Sequence, residues 1–122
     1  MAKNILIVDD SASLREVVAI ALKNAGYNVI QAENGQDALN KLAGDKLHLI
    51  ISDVNMPVMD GISFVKAVKQ DPNYKFTPIM MLTTESEDDK KQQGKAAGAK
   101  AWLVKPFQPD TLLDAVSKLV LP

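Results

Sequence analysis

Five side chains have the types and the placing to do chemistry together: Asp9, Asp10, Asp53, Thr83 and Lys105. Asp53 raises the question most sharply. It lies in LHLIISDVNMPVMDG, Leu47 to Gly61, where a carboxylate closes a stretch opened by the apolar run Leu49-Ile50-Ile51. Such an acid can be a cap, a metal ligand or a reagent. Three acids gathered at one place repel, and bare they tend to take up protons. A hard divalent cation relieves that repulsion, and Mg²⁺ favours one or two carboxylates, waters and a phosphate oxygen. Asn55, two residues past Asp53, can add a main-chain carbonyl to the shell. Counted formally, three carboxylates, one Mg²⁺ and Lys105 sum to zero. Such a place attracts a phosphoryl donor without being overwhelmed by repulsion.

Whether these residues meet depends on the elements that carry them. Short apolar runs alternate with helix-period segments along the chain. Ile5 to Val8 reads as a buried strand. Leu14, Val17, Val18, Ala21, Leu22 and Ala25 then recur at helical spacing, and Gly26 ends the pattern as a C-terminal cap. A strand over Asn28 to Ala32 precedes a helix near Gln36 to Ala43. The third strand is expected over Leu47 to Ser52, and a helix carrying Ile62, Val65 and Val68 stops at Asp71-Pro72. Pro78 to Leu82 and Ala101 to Val104 are the fourth and fifth strands, with a helix near Glu87 to Ala97 between them. A last helix carries Leu112, Val116, Leu119 and Val120.

These units leave nothing over for a linker or a second domain. Strands apolar on both faces and alternating with helices argue a doubly wound α/β fold, a parallel sheet covered on both sides. In such sheets ligands bind beyond the carboxyl ends of the strands. Strand one ends on Asp9 and Asp10, strand three on Asp53, strand four on Thr83 and strand five on Lys105. Neighbouring strands lie roughly 4.8 Å apart. If strand four flanks strand three, the short Thr83 reaches a group bound on Asp53, while Lys105, about 10 Å away, needs its length. Taken singly, each residue has a plainer reading: Asp9 and Asp10 as caps (a role Ser11 or Ser13 can fill), Asp53 as a solvated loop acid, Lys105 as an exposed cation. Their arrival at one edge is what favours a shared target.

Composition limits the rest. The chain has 122 residues, 47% of them hydrophobic, enough for one domain with a real core. A net charge of -1 gives no reason to expect nucleic acid or an anionic membrane as a partner. The absence of cysteine excludes disulfides, thiolate metal sites and cysteine nucleophiles. No run is long enough for a signal peptide or a membrane span, so a cytoplasmic location is expected.

The Asp9-Asp10 pair, Asp53 within DVNMPVMDG, Thr83 and Lys105-Pro106-Phe107 together resemble the receiver domain of two-component response regulators, and most of all the stand-alone, chemotaxis-type CheY-like members. The similarity runs from Asn4 to about Leu121, so residues 1–122 are expected to form a single receiver domain. The resemblance implies a flavodoxin-like fold with strand order 2-1-3-4-5 and five helices, an order for which CheY is a standard illustration. It implies that Asp53 accepts a phosphoryl group from a sensor histidine kinase of the CheA-like kind. Asp9 and Asp10 would hold Mg²⁺ with Asp53 and the Asn55 carbonyl, Lys105 would pair with the phosphoryl oxygens, and the Lys105-Pro106 bond would be cis. Asn55 and Glu85 would tune dephosphorylation, both matching chemotaxis-type members and so pointing to a short-lived signal.

By the same resemblance Thr83 moves to bond the phosphoryl group, and an aromatic on strand five fills the space vacated. Trp102 stands at that position, where the family usually has tyrosine or phenylalanine, and the larger indole puts full inward rotation in doubt. The plainer reading is that Trp102 is merely packed. The implied protein is a signalling switch rather than an enzyme. It would act as a monomer through the surface of its fourth helix, fifth strand and fifth helix, on a target such as a flagellar-motor switch protein, with a phosphatase as a further partner. Other readings are a phosphorelay carrier, a receiver excised from a larger regulator, or an interaction module that is never phosphorylated. Flavodoxin, P-loop and haloacid-dehalogenase readings fail on the acidic DDSAS loop, the missing glycine-rich lysine loop and the missing D-x-D motif.

One inference needs no resemblance. Between Thr83 and Ala101 no large apolar residue occurs, and Gly94 weakens a helix there by up to about 1 kcal/mol. Such a helix leans on Ser86 as a cap, on Glu87, Asp88 and Asp89 at its positive end and on later lysines. It is expected to be the most labile helix. His48, the only histidine, lies away from the acids, and Met80 and Met81 read as core.

Overall fold

The computed structural model describes residues 3–42, 44, 46–54, 58–83 and 88–121. Strands β1 (Asn4–Val8), β2 (Asn28–Ala32), β3 (Leu49–Asp53), β4 (Ile79–Thr83) and β5 (Ala101–Val104) alternate with helices α1 (Ala12–Asn24), α2 (Gly35–Asn40), α3 (Gly61–Gln70), α4 (Asp88–Ala97) and α5 (Pro109–Leu119). All pairings are parallel, in the order β2-β1-β3-β4-β5. The expected topology is the observed one.

Side-chain alternation along each strand builds two cores. Leu6, Val8, Ile50 and Met81 pack with Phe64, Val65 and Val68 of α3. Ile5, Ile7, Leu49, Ile51, Met80 and Leu82 pack on the other face with Val18 and Leu22 of α1 and Leu112 and Val116 of α5. The central strand, buried on both faces, holds its last residue, Asp53, opposite Leu82 of β4.

Several expectations shift; β4, for one, runs over Ile79–Thr83 rather than Pro78 to Leu82. The third strand begins at Leu49, not Leu47, and extends through Asp53. His48 N–H donates to the Asn4 carbonyl at 2.8 Å, but the Asn4 N–H goes to the His48 ring Nδ1 at 3.0 Å, so a side chain replaces the first ladder bond. Helix α2 begins a residue early, because Asn34 accepts from the Asp37 N–H at 2.8 Å, and it ends at Asn40. On α1 the buried residues are Val18, Ala19 and Leu22, while Val17 is 55% exposed. Val17 lies with Leu14 and Ala21 along a cleft between α1 and α5 rather than under the helix.

The caps follow local chemistry. Ser11 accepts from the Leu14 N–H to start α1, and Asp60 from the Ser63 N–H to start α3. Gly26 closes α1 with a φ of +96°, the left-handed conformation glycine adopts without strain. Ser86 and Glu87, expected to support α4, lie outside the described residues, and α4 is assigned from Asp88. No helix among the described residues is long and apolar enough to cross a membrane.

Candidate functional site: an acidic cluster at the carboxyl edge of the sheet

Parallel register brings the strand ends to one edge. Asp9 follows β1 directly, and its N–H still donates to the Ala32 carbonyl at 3.1 Å as the sheet runs out. Its side chain is buried, with Oδ1 accepting from the Ser11 N–H at 2.8 Å. Asp10 is exposed beside it, and Asp53 is 7% exposed at the end of β3. One carboxylate oxygen from each of the three lies within 4.8 Å of the others. Lys105, two strands away from Asp53, reaches across β4 and sets its Nζ 3.2 Å from Asp9 Oδ2 and 3.2 Å from Asp53 Oδ1.

Burial pushes the Asp53 carboxyl above its ordinary range, and the neighbouring Asp9 charge pushes it further, with Lys105 acting against both. Burial alone would lower Lys105, but the Asp53 and Asp9 carboxylates outweigh it and hold the ammonium above its usual value. The result is a charged amine beside a carboxylate that ionises reluctantly. Oxygen donors so crowded, two of them buried, suit a hard cation such as Mg²⁺, which would relieve the repulsion that one lysine only partly offsets.

Two close approaches fix Asp53 from below. The Gly61 N–H donates to the Val54 carbonyl at 2.8 Å. A Cβ on Gly61 would overlap the Asp53 carbonyl oxygen and stand 2.8 Å from Val54 Cα, so only glycine lets α3 start this close to the acid.

Of the residues singled out from sequence, the structure brings Asp9, Asp10, Asp53 and Lys105 together. Thr83 is buried at the end of β4, and its carbonyl accepts from the Lys105 N–H at 2.7 Å. The Lys105-Pro106 bond is cis. Trp102 sits on β5 opposite Met81, half-buried against the α3-side core, and its indole N–H is a buried donor without a hydrogen-bond partner among the described residues. Asn55 and Glu85 lie outside the described residues. His48 is far from the acids in the fold, its Nδ1 engaged by Asn4 at the opposite end of β3. Arg15 was not anticipated. It donates to the Asp9 carbonyl at 2.7 Å, and the available signal was a cation near the start of a helix, where the dipole opposes one.

Comparison with known proteins agrees with this fold. The family model described as response regulator receiver domain matches residues 5–117. The phosphate regulon transcriptional regulatory protein PhoB of Pseudomonas aeruginosa is 42% identical over 113 residues, which are 93% of this chain and 49% of that protein. The chain thus spans about half the length of that relative. The chemotaxis protein CheY1 of Helicobacter pylori is 39% identical over 112 residues, 90% of each chain. Among solved structures, the chemotaxis response regulator CheY4 of Vibrio cholerae superposes with a TM-score of 0.92 at 52% identity, covering 98% of this chain and 100% of its own.

Proposed function

The chain belongs to the response regulator receiver domain family, and from that premise we propose that it is a phospho-acceptor switch, with Asp53 the residue that takes the phosphoryl group. The observation that carries this reading is the Lys105 amine, 3.2 Å from Asp53 and from Asp9, beside a third carboxylate. An aspartate needed only as a cap or a solvated acid has no use for a lysine brought across a whole strand.

In the proposed reaction an Asp53 carboxylate oxygen attacks the phosphorus of a phosphohistidine on a sensor kinase. The N–P bond breaks and the imidazole leaves with the bonding pair. Asp9, Asp10 and Asp53, with the Asn55 carbonyl, would hold Mg²⁺, which when bound neutralises charge on the transferring oxygens. Lys105 pairs with those oxygens from the other side, so catalysis is positioning and charge neutralisation. The product is an acyl phosphate carrying roughly two negative charges in place of one.

That added charge is what a switch can read. Thr83, on the neighbouring strand, would turn toward the phosphoryl group, and Trp102 on β5 would respond by repacking. The output surface would be α4-β5-α5, acting as a monomer on a protein target in the cytoplasm. Similarity to chemotaxis proteins supports a role in chemotaxis, with a CheA-like kinase, a flagellar-motor switch protein as target and a phosphatase as further partner. Asn55 and Glu85 would set a short lifetime. Similarity to half of a longer transcriptional regulator favours a second reading, the same chemistry serving as the receiver of a larger protein.

The reading is tested by incubating the protein with a small phosphodonor such as acetyl phosphate, with and without Mg²⁺, and weighing it intact. One phosphoryl adduct that needs Mg²⁺ and vanishes in Asp53→Asn is expected. An unmodified parent under conditions that phosphorylate a known receiver overturns it.

A further inference from the structure

We propose that Arg15 is a positioning residue for the acidic site, one that orients the Asp9–Asp10 peptide so that both carboxylates face the cation. The inference rests on the reading of Asp9, Asp10 and Asp53 as a Mg²⁺ and phosphoryl site.

Arg15 stands four residues into α1, counting from Ala12, and α1 has no acidic residue in its first turn. A helix start carries partial positive charge and disfavours a cation. The helix dipole therefore gives no reason for Arg15. Its side chain is half-buried and runs back toward the sheet, where Nη1 donates to the Asp9 main-chain oxygen at 2.7 Å and Nε to Gln31 Oε1 at 3.4 Å.

The position of that oxygen explains the contact. The β1–β2 ladder ends with Val8 opposite Ala32, so the Asp9 carbonyl lies past the last strand pair, where β2 supplies no further ladder donor. The guanidinium takes the place of the missing donor with a charge-assisted bond. A peptide is planar, so holding the Asp9 carbonyl also fixes the plane of the Asp10 N–H and the direction in which the Asp10 backbone leaves. Every polar atom of Asp9 is then held: N–H by Ala32, carbonyl by Arg15, Oδ1 by the Ser11 N–H and Oδ2 by Lys105. Arg15 acts on the acids through the main chain, by its bond to the Asp9 carbonyl.

The test is Mg²⁺ titration by calorimetry into the parent, Arg15→Met, Arg15→Lys and Asp10→Asn, beside thermal unfolding of each metal-free protein. Arg15→Met is expected to bind Mg²⁺ about tenfold more weakly, the low end of what outer partners of metal ligands contribute, and Arg15→Lys to recover most of the loss. If Arg15→Met does not fold, Arg15→Gln, which lacks both charge and reach, is held to the same tenfold threshold. Lower metal-free stability with parental Mg²⁺ affinity would show that Arg15 serves only the packing of α1, and would overturn the inference alone. A parent that binds no Mg²⁺, or an Asp10→Asn protein that binds it like the parent, overturns the site reading and this inference with it.

Discussion

Lys105 Nζ lies 3.2 Å from Asp53 Oδ1 although a whole strand, β4, separates β3 from β5. The amine is spent on this contact and on Asp9 rather than on solvent. Lys105→Met keeps most of the stem and removes the charge. It is expected to slow phosphorylation of Asp53 by about 10²–10³-fold, the usual loss of one preorganised electrostatic donor. Mg²⁺ affinity should hold or improve, because a competing cation is gone. Stopped-flow rates over a range of Mg²⁺ concentrations separate the two effects, and an undiminished rate at saturating Mg²⁺ would remove Lys105 from the reaction.

The pH dependence of stability follows from Asp53. Burial, and then the Asp9 charge, hold its folded carboxyl above the ordinary value of 3.8. The folded chain therefore binds that proton more tightly than the unfolded chain does. The stabilisation is full below 3.8 and is lost as the pH rises through the folded value, so ionised Asp53 weakens the fold at neutral pH. Asp53→Asn is expected to raise the melting temperature at pH 7 by roughly 4 °C for each kcal/mol regained, and to make no difference near the acid limit. Saturating Mg²⁺ should shrink the gap by stabilising the parent. Melts across pH check this; a variant that melts below the parent at pH 7 contradicts it.

Two residues between Asp53 and the first turn of α3 should respond with opposite signs. Gly61→Ala forces a methyl into the Asp53 carbonyl and Val54, and is expected to cost about 1–3 kcal/mol and to impair phosphorylation by moving the acid. Val58, 82% exposed, is held at a φ of 71°, a left-handed conformation that costs a side-chain-bearing residue about 1–2 kcal/mol. Val58→Gly should relieve part of that. Urea unfolding of the pair measures both, and equal shifts in the same direction would refute the assignment.

Helix α4 should be the first to open. Its sequence, DDKKQQGKAA, offers only Ala96 and Ala97 as apolar side chains, and Ala96 is exposed. By contrast α3 buries Ile62, Phe64, Val65 and Val68. Hydrogen exchange is expected to be faster in α4 than in α1, α3 or α5, as suits a segment remodelled between two states. Protection of α4 equal to that of α3 would remove it as the mobile element.

The strand ends were legible in the sequence because apolar runs on a parallel sheet stop where the chemistry begins. Asp9, Asp53, Thr83 and Lys105 could be placed on one edge from that rule alone, and strand order came from resemblance. What escaped depended on contacts that periodicity does not encode. The start of β3 moved because the His48 ring, a side chain, took the Asn4 N–H. Val17 shares the helical spacing of Val18 and Leu22, yet faces the cleft beside α5, since a helix laid on a twisted sheet buries a narrower stripe than its apolar pattern offers. Arg15 could not be found from the side chains of the acids, because the Asp9 atom it holds is a main-chain oxygen.

The central claim is that Asp53 is the reagent and the other acids its support. The most direct measurement is to phosphorylate the protein in Mg²⁺, reduce the acyl phosphate with borohydride so that the modified aspartate is converted to an alcohol, and locate that change by peptide mass spectrometry. Reduction confined to residue 53, and absent when Mg²⁺ is withheld, is the predicted result. Reduction at Asp9 or Asp10 instead, or at none of the three, would contradict the account.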